Sequence, residues 1–212
     1  MCGFVGFTGA AHDRAEVLEK MKKRIVHRGP DMSGEHIDND VALGFMRLSI
    51  IDLSDGAQPM YNEDGSIVIV FNGEIYNFES LREELISLGH TFRTRCDTEV
   101  IIHGYEQYGK DIVGKLRGMF AFVIWDSGKK ELFGARDYFG IKPFYYTRVG
   151  SDIIFGSEIK SFLEHPDFVK KVNKKALRPY LTFQYSATDE AFLRAFSSFL
   201  RRICLHFRLA GK

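Results

Sequence analysis

The chain has 212 residues, 45% of them apolar and 27% charged, which suits a globular protein with one sizeable core or one domain and part of a second. Its formal net charge of +1 argues against a surface built for nucleic acid or anionic membranes. The three cysteines are too few for a disulfide framework or a zinc site, and neither a signal peptide nor an apolar run of membrane-span length is visible. We therefore expect a cytoplasmic protein without a resident metal.

The first third of the chain predicts strands and one helix. Cys2–Thr8 is a short apolar strand, and Asp13 is placed to cap the helix that follows. Gly-Pro within His27–Asp31 breaks both periodicities, so no regular structure is expected there. Stretches rich in β-branched residues predict strands at Val41–Ile51 and Ile67–Ile75.

The remainder mixes helices with further strands. Asn77 is expected to cap one helix, and Thr98–Tyr108 to form another. Met119–Trp125 and Leu132–Ala135 predict a β-hairpin around a polar turn. Two short strands follow, and then a helix capped by Ser157. Many strands with intervening helices indicate a layered α+β domain, with helices outside two sheets.

Cys2 carries the first chemical signal. If Met1 is cleaved, Cys2 has a thiol and a free α-amine on one residue. An α-amine with a pKa of about 7.7–8.0 can accept the proton of a thiol with a pKa of about 8.5, and this pairing is a route to covalent catalysis. A cysteine at position two can equally be an accident of sequence.

Asn72 and Gly73 form the second candidate site. The Asn72 side-chain NH₂ and the Gly73 backbone N–H could both donate to one oxygen atom, which would make an oxyanion hole. Gly73 would also let a substrate approach closely. The structural alternative is an ordinary Asn-Gly turn.

Arg47 and Asp97 could recognise the two ends of an amino acid. Arg47 lies in an apolar stretch and needs a partner, either a substrate carboxylate or an internal salt bridge. Asp97 precedes a helix, where it could cap the N-terminus or bind an α-ammonium group. With Cys2 at the side-chain carbonyl, this arrangement would suit glutamine.

In these motifs the sequence resembles the class II glutamine amidotransferases, most closely the glutaminase domain of asparagine synthetases. The resemblance covers about residues 1–189. It is carried by Cys2–Gly6, His27–Asp31, Arg47–Asp52, Asn72–Asn77, Asp97–Val100, Leu116–Phe122, Ala135–Pro143 and Ser157–Lys160.

The resemblance implies a four-layer αββα sandwich of the N-terminal nucleophile hydrolase type. It also implies that Cys2 attacks the glutamine amide, and that Asn72 and Gly73 stabilise the oxyanion. Arg47 would then bind the α-carboxylate and Asp97 the α-ammonium group. The pocket would further be lined by the backbone of Leu48, Ser49, Ile50, Ile51 and Glu74. Arg28 and Asp31 are expected to support the site.

The resemblance further implies no cofactor in this domain. ATP and Mg²⁺ would belong to a synthetase domain, absent here, that activates aspartate and accepts the ammonia. The alternatives are a stand-alone glutaminase, an ammonia-donating subunit of another amidotransferase, and an inactive fragment. The sequence does not indicate the oligomeric state.

Residues 190–212 depart from this resemblance. From Ala191 onward the tail has five basic residues, no acidic residue and four phenylalanines. One interpretation is an amphipathic helix that binds a partner or a membrane surface. The other, which we favour, is a frameshift, because permitted codons read one base later from Phe192 can restore the resemblance.

Overall fold

The computed structural model describes residues 1–9, 13–48, 56–174, 177, 181–182, 196–198 and 204–209. The strands of these residues are β1 (Gly3–Thr8), β2 (Met32–Ile37), β3 (Val41–Arg47), β4 (Met60–Tyr61), β5 (Ile67–Ile75), β6 (Gly118–Asp126), β7 (Glu131–Arg136), β8 (Tyr145–Val149), β9 (Asp152–Gly156), β10 (Phe196–Ser198) and β11 (Cys204–Arg208). The helices are α1 (Arg14–Arg24), α2 (Phe78–Ser87), α3 (Asp97–Tyr108) and α4 (Ile112–Lys115), with 3₁₀ turns at Val26–Arg28, Gly109–Asp111 and Ile159–Glu164.

The strands form two antiparallel sheets. Sheet A has the order β10-β8-β9-β1-β3-β2, and sheet B has the order β11-β7-β6-β5-β4. In sheet A, β1 lies between β9 and β3, with Gly3 opposite Met46 and Val5 opposite Gly156. The N-terminal strand is therefore central and anchored on both edges.

The two sheets and the helices outside them form four layers, and apolar side chains pack in the three spaces between neighbouring layers. The middle apolar layer lies between the sheets and contains Phe4, Phe45, Val70 and Trp125. An outer layer joins sheet A to α1, and the other joins sheet B to α2, α3 and α4. This is the αββα sandwich expected from the sequence, and that prediction is confirmed.

The alternation of side chains along β5 shows how the sequence specifies these layers. Ile67, Ile69 and Phe71 face the helices, whereas Val68 and Val70 face sheet A. Successive side chains of a strand point to opposite faces. Both faces of β5 are apolar because both faces are covered.

Two capping predictions are wrong because the side chains have other partners. Asn77 precedes α2 without capping it, and instead its amide bonds the backbone of Lys115 and Arg117 at 3.0 and 2.8 Å. Ser157 accepts the backbone N–H of Phe4 at 3.0 Å, and the segment after it is a 3₁₀ turn. Asp13 does cap α1, accepting the N–H of Glu16 at 3.0 Å.

Other differences concern short or polar segments. Val26–Arg28 forms a 3₁₀ turn where no regular structure was expected. β3 ends at Arg47, and residues 49–51 of the expected longer strand lie outside the described residues.

In the tail, Phe196–Ser198 pairs with β8 and Cys204–Arg208 pairs with β7. The helix interpretation is therefore wrong at these residues. In β11, Leu205 and Phe207 enter the middle apolar layer while His206 and Arg208 alternate with them, which is a strand pattern. The frameshift stays a prediction. Within the described ranges, no helix combines the length and apolar character that crossing a membrane requires.

Candidate functional site

Cys2 lies at the start of β1 on the face that points between the sheets. Phe4 of the same strand belongs to the middle apolar layer, and Cys2, two residues earlier, packs against that layer. The register that pairs Gly3 with Met46 places Cys2 next to Arg47. The candidate nucleophile thus stands at the mouth of the gap between the sheets.

The backbone of Leu48 meets the sulfur of Cys2. The Leu48 N–H donates to Cys2 Sγ at 3.4 Å, and the Leu48 carbonyl oxygen is 3.7 Å from the same atom. Both contacts hold the sulfur of Cys2 against the end of β3. Ser49, Ile50 and Ile51, which were expected to continue this wall of the pocket, lie outside the described residues.

Arg47 continues the inner face of β3. Val41, Leu43 and Phe45 all belong to the middle layer, and the alternation directs Arg47 to the same side. Its Nη1 is 3.9 Å from Met32 Sδ, and a cavity of about 280 Å³ opens beside it between β2 and residues 57–61. Arg47 is thus the β3 neighbour of Cys2 in the sheet, and its guanidinium lies against Met32 at the edge of this cavity.

Asn72 lies on the opposite sheet and faces the same gap. It follows Val68 and Val70 on the inner face of β5, and it is only 2% exposed. Its side-chain Nδ2 has no hydrogen-bond partner within the described part of the chain. A buried donor without an acceptor is costly, and in native proteins it usually has a reason such as a ligand.

Gly73 lies inside β5, so the Asn-Gly turn alternative is wrong. A Cβ at Gly73 would lie 2.4 Å from the Met119 carbonyl oxygen and 2.7 Å from Phe120 Cα. The backbone of β6 therefore requires glycine here. The expectation that this glycine lets a substrate approach closely stays a prediction, beside this packing reason.

Asp97 is the first residue of α3, with Cys96 at the N-cap position and no side-chain capping bond. Its Oδ2 accepts the backbone N–H of Ile75 at 2.8 Å. Backbone N–H groups of Asp97 and Thr98 in the first turn of α3 also bond this carboxylate, so helix stabilisation and ammonium binding both stay predictions. Burial raises the pKa of Asp97 above its ordinary value, and the nearby charge of Glu74 adds to this. This bond fixes Asp97 to the end of β5 three residues beyond Asn72, and the Glu74 side chain itself is exposed.

Arg28 and Glu158 support the backbone of Cys2. Arg28 Nε donates to the Cys2 carbonyl oxygen at 3.0 Å, and Arg28 Nη1 lies 3.1 Å from Glu158 Oε1. Burial opposes ionisation of Glu158, but hydrogen bonds from Lys160, Arg28 and His27 outweigh it and lower its pKa. Sequence reasoning gave Arg28 a supporting part but missed Glu158, whose signal was the Ser157–Lys160 motif.

The second supporting residue expected from the sequence, Asp31, is exposed. Its backbone N–H donates to the Arg47 carbonyl oxygen at 3.1 Å. Its contribution is thus to hold the loop against the end of β3.

Residues 1–211 match the family described as a glutamine amidotransferase domain. The glutamine-hydrolyzing asparagine synthetase 1 of Bacillus subtilis (strain 168) is 47% identical over 190 residues, which cover 87% of this chain and 30% of that protein. The glutamine-hydrolyzing asparagine synthetase 2 of Oryza sativa subsp. japonica is 45% identical over 166 residues, covering 76% of this chain and 28% of that protein. The chain thus spans less than a third of the length of these relatives.

Solved structures show the same fold. The glutamine phosphoribosylpyrophosphate amidotransferase from B. subtilis superimposes with a TM-score of 0.67 at 20% identity, over 81% of this chain and 45% of that chain. A structure described as the allosteric regulatory enzyme of purine biosynthesis gives a TM-score of 0.65 at 21% identity, over 77% of this chain and 43% of that chain. At these identities the likeness shows the fold alone, the N-terminal nucleophile sandwich expected from the sequence.

The sequence comparisons and this fold agree with the resemblance drawn from the motifs, which is confirmed together with the enzyme class. The chain belongs to the family of glutamine amidotransferase domains.

Proposed function

We propose that this chain hydrolyses L-glutamine to glutamate and ammonia, with Cys2 as the nucleophile. The observation that carries the proposal is the buried Nδ2 of Asn72, which lacks a partner within the described residues and faces the gap in which Cys2 stands. A donor held in this way, without an acceptor of its own, is what a developing oxyanion requires.

The reaction follows from the chemistry of an N-terminal cysteine. With Met1 removed, the α-amine of Cys2 takes the thiol proton, and Sγ attacks the amide carbon of glutamine. Asn72 Nδ2 and the Gly73 N–H donate to the resulting oxyanion. Breakage of the C–N bond releases ammonia as the proton is transferred to nitrogen, and a thioester forms. Water then hydrolyses the thioester, which gives glutamate and regenerates Cys2.

Recognition of the amino-acid end uses two opposite charges. Arg47, beside Cys2, binds the α-carboxylate through parallel N–H donors. Asp97 binds the α-ammonium group, and a cation there offsets the cost of the buried carboxylate. The backbone of residues 48–51 and of Glu74 completes the pocket.

Arg28 acts as a positioning residue. Its bond to the Cys2 carbonyl oxygen fixes the residue that carries both nucleophile and base, and Glu158 fixes Arg28 in turn. A small displacement of Cys2 would misalign the sulfur with the amide carbon.

The ammonia would then pass to an acceptor domain or subunit. The relatives named above are glutamine-hydrolyzing asparagine synthetases, so we propose aspartate as the acceptor, activated with ATP and Mg²⁺ in a region beyond this chain. Glutamine hydrolysis needs neither ATP nor Mg²⁺.

The test measures glutamate and ammonia release by the purified chain, with Cys2→Ala against Cys96→Ala as the matched control. Wild type and Cys96→Ala should turn over glutamine, whereas Cys2→Ala should not. In intact-mass analysis, an electrophilic glutamine analogue should add one label to wild type and none to Cys2→Ala. Turnover by Cys2→Ala would refute the mechanism, as would an unlabelled wild type without turnover.

A further inference from the structure

Three metal-ligand side chains converge on the outer helical layer, away from Cys2. His103 and Glu106 are one turn apart on α3, and His90 lies in the connection between α2 and α3. One ligand atom from each of the three lies within 4.8 Å of the other two. The His103 side chain is only 2% exposed, and His90 and Glu106 are partly buried.

The inward-facing atoms of this cluster are the Nδ1 atoms of both rings. His103 Nδ1 lies 2.8 Å from Glu106 Oε2, and His90 Nδ1 lies 3.6 Å from the same oxygen. Ligands bonded at about 2.0–2.1 Å in a tetrahedral zinc site stand about 3.3–3.4 Å apart. The observed separations bracket that spacing, so small side-chain shifts would bring all three atoms onto one ion.

Two of the three outward-facing atoms are hydrogen-bonded to another group, and the third lies near a carboxylate. His90 Nε2 lies 3.1 Å from Gln107 Oε1, and Glu106 Oε1 accepts from Asn62 Nδ2 at 2.9 Å. His103 Nε2 lies 3.7 Å from Glu99 Oε1.

When Nδ1 of each ring loses its proton to a bound ion and Nε2 keeps its own, the Nδ1 lone pair faces the cluster. Gln107 then accepts from His90 Nε2, and the Glu99 charge faces His103 Nε2. Outer partners of this kind orient the ligands in protein metal sites.

We propose that His90, His103 and Glu106 bind one divalent transition-metal ion, with Zn²⁺ the best fit. Two imidazole nitrogens and a carboxylate oxygen are a zinc donor set, and water would take the fourth position. The ion would tie the α2–α3 connection to α3, whose first residue is Asp97. The expectation from sequence that the chain has no zinc site considered only cysteines, and no cysteine takes part here.

Three carboxylates near His103 favour its protonation in the metal-free cluster. Burial opposes protonation of His103, but its bond to Glu106 and the charges of Glu106, Glu63 and Glu99 prevail and raise its pKa. His90 also faces this ring, with centroids 5.2 Å apart. Protons and the ion would compete for the ligand atoms, so the affinity for the ion should fall as pH falls.

The test uses the full chain, stripped with a chelator and dialysed against Zn²⁺ alone. Wild type should retain one zinc per chain, and Co²⁺ should give the visible absorption of a tetrahedral site. His90→Gln and Glu106→Gln should each weaken zinc binding by about 100-fold or more, since each removes one ligand. His36→Gln, at a partly buried histidine outside the cluster, should bind like wild type.

Circular dichroism establishes that the variants fold. No stoichiometric zinc in wild type would overturn the proposal, and so would equal zinc binding by folded His90→Gln and Glu106→Gln. Glutamine hydrolysis is measured separately, because the proposed catalytic groups lie elsewhere and either result can fail alone.

Discussion

Arg28 holds the main chain of Cys2, its Nε donating to the Cys2 carbonyl oxygen at 3.0 Å. The two residues are 26 positions apart in the sequence. Their contact leaves no room for a side chain at Gly3, the first residue of β1. A Cβ on Gly3 would lie 2.8 Å from Arg28 Cδ and 3.2 Å from Ile25 Cδ1. The glycine after the cysteine is therefore required by the arginine that positions it.

Replacing Arg28 with lysine should slow turnover more than it weakens binding. Lysine keeps the charge but loses the planar donors that bond Cys2 and Glu158 together. A charge-assisted hydrogen bond worth about 1.5–3 kcal/mol corresponds to a loss of kcat of about 10–100-fold, with little change in KM. Steady-state glutaminase kinetics test this. Arg24→Lys, at an exposed ion pair with Glu164, is the control, and equal kcat values for the two variants would contradict the positioning role.

Asn72→Leu should make the protein more stable and much less active. The substitution removes a buried donor that has no partner among the described residues, so the free energy of unfolding should rise by about 1 kcal/mol. Loss of an oxyanion donor should lower kcat by about 10²–10³-fold. Urea unfolding and turnover measure the two effects.

Asn62→Leu is the matched control for stability. Asn62 is 8% exposed, and its amide bonds the Ile67 N–H, Ser66 Oγ and Glu106. Its replacement should cost about 1–3 kcal/mol because those partners are left unpaired. If Asn72→Leu were destabilised as much, the Asn72 amide would have partners in the folded protein and the proposal would lose its main support.

Asp97→Asn should gain stability relative to wild type as pH rises from about 4 toward neutrality. Burial raises the pKa of Asp97, so the folded protein binds this proton more tightly than the unfolded chain does. The stabilising contribution of such a carboxyl is complete below the unfolded value of about 3.9 and is lost as pH rises through the folded value. Asparagine carries no titrating group and escapes this loss. Unfolding measured at several pH values would show the divergence, and a constant difference would contradict it.

The same variant should bind glutamine poorly. Without the carboxylate, the α-ammonium group loses its opposite charge, so KM should rise by about 10–100-fold, corresponding to a charged hydrogen bond of about 1.5–3 kcal/mol. An unchanged KM would show that Asp97 serves only to hold the N–H of Ile75.

A tag placed before Met1 should lower the rate of glutamine hydrolysis by orders of magnitude. A tag at the C-terminus should leave this rate unchanged. An amide nitrogen on Cys2 cannot accept the thiol proton, and only a free amine can. Mass spectrometry of the N-terminus, combined with the assay, links processing to rate. Equal rates from tagged and processed proteins would show that another group is the base.

Phe207→Ala should destabilise the protein by about 3 kcal/mol, because Phe207 is 8% exposed and fills the middle apolar layer. Arg208→Ala, on the alternate position of β11, should cost less than about 1 kcal/mol, since the Arg208 side chain is 70% exposed. Equal small effects would show that β11 does not contribute to the core.

The pattern of apolar residues correctly predicted the buried strands. β5 has the predicted bounds, and the β6–β7 hairpin forms around the predicted turn. β2 escaped prediction because it is an edge strand with mostly exposed side chains and no core-facing alternation. The capping predictions were wrong at Asn77 and Ser157 because the side chains of these residues accept hydrogen bonds from the backbone of Arg117 and Phe4.

For the functional site, the chemistry of the side chains was sufficient to predict Cys2, Arg47 and Asn72. Strand alternation directs all three toward the gap between the sheets. The sequence could not reveal that Leu48 meets the sulfur or that Glu158 fixes Arg28, because these contacts join residues 46 and 130 positions apart.

The sulfur and the amide that would stabilise the reaction belong to different sheets, and apolar side chains such as Phe4 and Val70 fill the space between those sheets. Enlarging one of them would separate the reacting groups without altering either. Turnover should therefore respond to the volume of residues that never touch the substrate, and a slow variant with every polar group intact is an expected outcome of this architecture.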